Sequence, residues 1–168
     1  QILSAAPERF ALVGTSMGGY AALEIIRQAP ERVSSLILMS TSAKADTPER
    51  SKGRREQVAA AKKPNSMRET IKGLWPKIVH PARHEDHPLL NVFFDMAEHL
   101  GVSAFERQIE AIISREDSRP LLATIKVPTL VVVGKDDALI PPDEGREIAA
   151  GIAGARLEEV EHAGHMCM

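Results

Sequence analysis

The chain has 168 residues, 43% hydrophobic and 26% charged, which suits one folded domain and excludes a disordered chain. Its 21 Lys and Arg against 23 Asp and Glu leave a net charge of -2, without the basic excess of a general nucleic-acid or membrane-surface binder. Cys167 is the single cysteine, so an intrachain disulfide framework is excluded and a reducing, cytoplasmic setting is expected. No apolar run approaches the roughly 18 residues of a transmembrane span. No charged start with an apolar signal core is legible, but residue 1 is Gln, so the sequence is expected to begin partway through a longer product.

In chain order, Phe10 to Val13, Leu36 to Met39 and Thr129 to Val133 are short apolar runs of strand length. Runs without alternation suit a parallel sheet covered on both faces. Arg156 to Val160 is a weaker fourth strand. Gly18 to Gln28 carries Ala21, Ala22, Leu23, Ile25 and Ile26 and stops at Pro30. Asp143 to Ile152 follows two prolines and ends near Gly154. Strand and helix alternate, which predicts the α/β class.

The middle, from about 46 to 117, shows only helix signals. Ser66 with Glu69, and Ser103 with Glu106, have capping-box spacing. Leu89, Val92, Phe93, Met96, Ala97 and Leu100 predict one helical face ending at Gly101, and Phe105, Ile109, Ile112 and Ile113 another. Lys52, Arg54 and Arg55 read as a solvated helix face. His80, His84 and His87, with Glu85 and Asp86, invite a metal reading. Pro81 and Pro88 break the helix that would align them, so a polar loop is expected, with no metal and no cofactor.

Gly14-Thr15-Ser16-Met17-Gly18 follows a predicted strand and opens a predicted helix, the context of a nucleophile elbow. Such a turn strains the central residue and exposes its side chain. It needs small residues two positions either side, here Gly14 and Gly18, with Gly19 adding clearance. The Ser16 hydroxyl then sits at a helix N-terminus, where the Met17 backbone N–H can help hold an oxyanion. A serine hydroxyl needs a base and an acid to act as nucleophile. The chain order Ser, Asp, His fits the elbow fold: Asp136 and Asp137 follow a strand end, and His162 and His165 follow the last one. From these residues alone, the choice within each pair stays open.

The segments FALVGTSMGGYAALEIIRQAPERVSSLILMSTSA from Phe10, PTLVVVGKDDALIPP from Pro128 and EHAGHM from Glu161 resemble the α/β-hydrolase superfamily. Within it they are similar to small esterases and lactonases, such as 3-oxoadipate enol-lactonase and pimeloyl-carrier-protein methyl ester esterase. The resemblance implies a partial α/β-hydrolase fold, mostly parallel, with a core of residues 1–45 and 118–168 and a helical cap over 46–117. The family pattern G-x-x-D-x-x-x-P maps onto Gly134, Asp137 and Pro141, which makes Asp137 the acid. The family's Gly-His pair maps onto Gly164-His165, which makes His165 the base. The implied activity is cleavage of a small carboxylic ester or lactone through an acyl-enzyme on Ser16. The alternative is a truncated, non-catalytic module that keeps the elbow as structure. The family usually carries strands before the elbow, with a second oxyanion donor in a loop among them, and only nine residues precede Phe10 here. Strand 10–13 is therefore expected to lie open on one side, exposed to self-association, with a small ester or lactone as the partner and neither nucleic acid nor membrane.

Overall fold

The computed structural model describes residues 2–64 and 66–167. Its elements in order are α1 (Ile2–Ala5), β1 (Phe10–Thr15), α2 (Met17–Gln28), β2 (Val33–Met39), α3 (Pro48–Ala61), α4 (Met67–Ile78), α5 (His87–Ile113), α6 (Arg119–Leu122), β3 (Thr129–Gly134), α7 (Pro142–Gly151) and β4 (Arg156–Val160). The four strands form one parallel sheet in the order β1-β2-β3-β4. The class is α/β, as the alternation predicts, and each predicted strand is present with its boundaries moved by a few residues at most. Among the described residues, no helix is long and apolar enough to cross a membrane.

The sheet is packed on one face, not two. Strand order rises steadily along the sheet, and right-handed crossovers then put every connecting helix on the same side. On that side Leu36, Leu38, Val131 and Val133 are buried with Ala22, Leu23, Ile25 and Ile26 of α2 and with Ile148 of α7. The opposite face carries Val13, Ile37, Leu130 and Val132, and Val13 is 58% exposed. On β1, β2 and β3 the open face is itself apolar, and only β4 adds the charged Arg156 and Glu158 there, so the one-sidedness follows from topology more than from composition. Among the described residues, β1 has a neighbour along one edge only, so the strand expected to lie open does so.

Helices α3, α4 and α5 pack on one another as a separate layer around Trp75, Ile78 and Val79, with Leu89, Leu90 and Phe93 against them. Trp75 meets Phe93 edge-on, with ring centroids 5.4 Å apart. Capping explains two of the helix starts. Thr47 accepts from the Arg50 N–H with Pro48 in the first turn, and Asp86 accepts from the Leu89 N–H with Pro88 likewise placed. Ser66 forms no capping box; its hydroxyl donates instead to the carbonyls of Ala61 and Lys63. Gly101 interrupts α5 with φ 73°, a left-handed conformation that favours glycine. The apolar face predicted over 89–100 divides: Leu89 and Phe93 pack inward, and Phe94 is buried. Val92, Met96 and Leu100 instead stand 51, 57 and 55% exposed.

Arg54 is not part of a solvated face. Its Nε donates to the Asp46 carboxylate at 2.6 Å, while Arg115 Nη2 lies 2.8 Å from the other oxygen. Arg115 also donates to the Lys44 carbonyl at 2.9 Å, and its guanidinium sits 4.2 Å from the Tyr20 ring centroid on α2. The Ser118 N–H donates to Ala43 O at 2.7 Å. These contacts tie the two ends of the helical insert to each other and to the helix that follows Ser16.

The Asp46 side chain is fully buried. Burial pushes its carboxyl up, but the hydrogen bond from Arg54 and the positive charge of Arg115 outweigh this and hold it below the ordinary carboxylate range. A depressed folded-state pKa contributes stability above the unfolded value of ~3.9, and that stability is lost as pH falls through the folded value. Asp46→Ala is expected to cost about 3 kcal/mol at pH 7, because it strands two partly buried guanidinium groups. It should cost much less at pH 2 to 3, and urea unfolding at both pH values measures the difference.

Candidate active site

Ser16 stands between the last residue of β1 and the first of α2, with φ 52° and ψ -117°. Positive φ is strained for a residue with a side chain, and strain of this kind collects at functional sites. The conformation is held from three directions. The Ser16 N–H donates to Met39 O at 2.9 Å, and the Ser16 carbonyl accepts from the Gly19 N–H at 2.9 Å and the Thr41 hydroxyl at 2.8 Å.

Two glycines make this reversal sterically possible, and one of them is not the residue the motif suggests. A Cβ at Gly14 would run into the Gly18 carbonyl, as expected for a strand and helix in contact. A Cβ at Gly19 would run into the Thr41 side chain, whereas one at Gly18 would meet nothing within 4 Å. The second tight position is therefore Gly19. Thr41, which creates it, follows β2 in an unremarkable Ser-Thr-Ser run and carried no signal in the sequence.

His165 and Asp137 meet Ser16 through loops at the C-terminal ends of β4 and β3, where open α/β sheets place their sites. His165 Nε2 lies 2.8 Å from Ser16 Oγ, and His165 Nδ1 lies 2.8 Å from Asp137 Oδ2. The His165 side chain is 5% exposed and that of Asp137 is fully buried. Asp137 Oδ1 accepts from the N–H groups of Leu139, at 2.9 Å, and Ile140, at 2.8 Å. These backbone donors hold the carboxylate as an acceptor, so Nδ1 carries the proton and Nε2 is free to accept from the Ser16 hydroxyl. Met17 is the first residue of α2, so its N–H lies outside the helical ladder.

Asp136 and His162 are excluded from this chain of contacts. Asp136 Oδ2 lies 3.6 Å from His80 Nε2, and the rings of His80 and His162 meet edge-on at 5.8 Å. The three clustered histidines of the insert go separate ways: His80 faces Asp136, His87 lies 3.6 Å from Glu85, and the His84 carbonyl accepts from the Trp75 indole. A cavity of about 730 Å³ runs along α2 past Met17, Tyr20 and Arg27, against Ile112 and Arg115, and is lined by neither Ser16 nor His165.

A family model described as the alpha/beta hydrolase family matches residues 1–168. The chain belongs to this family. It is 32% identical over 162 residues to a 2-hydroxy-6-oxononadienedioate/2-hydroxy-6-oxononatrienedioate hydrolase of Klebsiella pneumoniae, with 92% of this chain and 55% of that protein covered. Among solved structures, it is similar to a thermophilic esterase from Thermogutta terrifontis, with a TM-score of 0.85 and 28% identity over 94% of this chain and 58% of that one. It is also similar to an enol-lactonase from Burkholderia xenovorans, with a TM-score of 0.81 and 30% identity over 94% of this chain and 59% of that one. The chain thus spans a little over half the length of the proteins it matches.

The elbow geometry separates its three glycines experimentally. Gly14→Ala and Gly19→Ala are expected to lose about 1–3 kcal/mol through overpacking. Gly18→Ala is expected to be neutral or to gain up to ~1 kcal/mol, because alanine is the better helix former in open space. Urea midpoints of the three variants would show whether Gly18 or Gly19 is the spatial constraint.

Proposed function

We propose that this chain carries the catalytic centre of a serine hydrolase that cleaves a small carboxylic ester or lactone through an acyl-enzyme, with residues 46–117 as its cap. The observation that carries the reading is the continuous contact Ser16–His165–Asp137, with 2.8 Å at each step. The similarity to an esterase and an enol-lactonase supports the substrate class.

In this reading the Ser16 hydroxyl gives its proton to His165 Nε2 as its oxygen attacks the substrate carbonyl. Asp137 accepts from Nδ1–H throughout, which keeps the ring in the reactive tautomer and stabilises the imidazolium. The oxygen that gains charge is held in part by the Met17 N–H. The imidazolium then returns the proton to the departing alkoxide, which in a lactone stays attached to the acyl group. Water, deprotonated by the same imidazole, releases the acid. Burial of the His165–Asp137 pair keeps bulk water from competing for these hydrogen bonds.

A second reading takes its substrate class from the name of the Klebsiella relative, a 2-hydroxy-6-oxo dienedioate or trienedioate. Turnover of such a substrate with none of short p-nitrophenyl esters would favour it over the ester reading.

A fluorophosphonate probe is expected to label the chain on Ser16, with labelling lost in Ser16→Ala. Absence of labelling in the folded chain would instead favour the non-catalytic module. Asp137→Asn is expected to slow turnover by about 10⁴-fold, by releasing the wrong histidine tautomer. Asp136→Asn should cost no more than about 10-fold, since its carboxylate touches neither Ser16 nor His165 and only adjusts geometry. Equal losses would place the acid at the wrong one of the two neighbours.

A further inference from the structure

The end of α4 meets the two loops that bring the acid and the base to Ser16. The Met166 N–H donates to Ile78 O at 3.2 Å. A Cβ on Gly164 would lie 2.6 Å from both His80 N and the Val79 carbonyl carbon, so the backbone of 78–80 rests directly on the residue before His165. The two loops are also joined to each other: Lys135 N–H donates to Val160 O at 3.0 Å, and Asp136 N–H donates to Ala163 O at 2.9 Å. His80 extends its side chain into this junction.

The orientation of the His80 ring is determined. Nδ1 accepts from the Ala82 N–H at 3.1 Å, which caps the turn Pro81–Arg83. The proton of the neutral ring is therefore on Nε2, which faces Asp136 Oδ2 at 3.6 Å. That distance is a charge–dipole contact and not a hydrogen bond. The ring edge packs on His162, which itself holds a left-handed backbone with φ 53°. One imidazole thus touches the neighbour of the acid and a strained residue of the base loop.

We propose that His80 is a positioning residue, by which the helical insert sets the His165–Asp137 contact through Asp136 and His162. This rests on the reading of Ser16, His165 and Asp137 as the catalytic centre. His80 touches none of the reacting atoms and acts only on where the two loops stand. A displacement of the base by a fraction of an ångström is enough to slow proton transfer, because rate depends steeply on near-attack geometry.

The test separates the cap of the turn from the contact with Asp136. His80→Asn keeps an oxygen able to accept from the Ala82 N–H but is too short to reach Asp136, whereas His80→Gln carries an amide N–H out to the position of Nε2. Two readouts are taken on the folded chain, with thermal unfolding as the control. One is the downfield proton resonance of the His165 Nδ1–H, assigned by its loss in Asp137→Asn. The other is the rate of fluorophosphonate labelling of Ser16. His80→Asn is expected to broaden or shift the resonance and to slow labelling by about 10-fold or more, with His80→Gln restoring most of both. In an Asp136→Asn background, His80→Asn should add less than about 2-fold. A wild-type resonance in His80→Asn, or loss of the resonance only in proportion to loss of folded protein, would overturn the inference. If the wild-type chain shows the resonance but is not labelled, the hydrolase reading fails, and the resonance in the His80 variants still decides this one.

Discussion

The close approach of two backbones at Ser16 is the constraint on which the rest of the site depends. β1 ends and α2 begins within one residue, and Gly14 and Gly19 leave no room for a side chain where the chain passes Gly18 and Thr41. The reversal places Ser16 in a conformation that local propensity opposes. It persists because β2 supplies the Met39 carbonyl and Thr41 supplies its hydroxyl. The nucleophile position is therefore set by the neighbouring strand as much as by its own turn, and the strain is held by contacts outside the motif.

Parallel pairing does the remaining alignment. Gly14, Leu38, Val131 and Leu157 are register partners across the sheet, followed two residues later in β3 and β4 by Val133 and Glu159. The loops that leave the C-terminal ends of β1, β3 and β4 therefore emerge side by side. Residues separated by more than a hundred positions meet at hydrogen-bond distance as a result. Because the order of strands never reverses, all crossover helices lie on one face, and the face with Val13 remains open among the described residues.

The helical insert is not an independent body resting on this sheet. Asp46, Arg54 and Arg115 form a buried ionic group at its root, and Arg115 stacks on Tyr20, one turn beyond the nucleophile. Burial pushes the Tyr20 phenol up, against the opposing charges of Arg115 and Arg54. At its other end the insert rests on Gly164 through residues 78–80. Both contacts are polar or backbone-mediated, so neither leaves an apolar periodicity that a sequence would display.

What the sequence determined by itself was local. Glycine and serine spacing after an apolar run specified the turn, because few residues tolerate such backbone contact. Runs of Val, Ile and Leu specified the strands through burial, and Asp137 and His165 were assigned by resemblance once spacing had left two choices at each. The tertiary structure decided what depends on neighbours distant in the chain. It made Gly19 and not Gly18 the tight position, because Thr41 stands opposite it. It sent Arg54 to Asp46, because the two ends of the insert converge there, and left Val92, Met96 and Leu100 outside, because the bend at Gly101 and the position of Trp75 select a different stripe of α5 for burial. Helical periodicity shows that a face exists; only packing against a particular partner determines which face is buried.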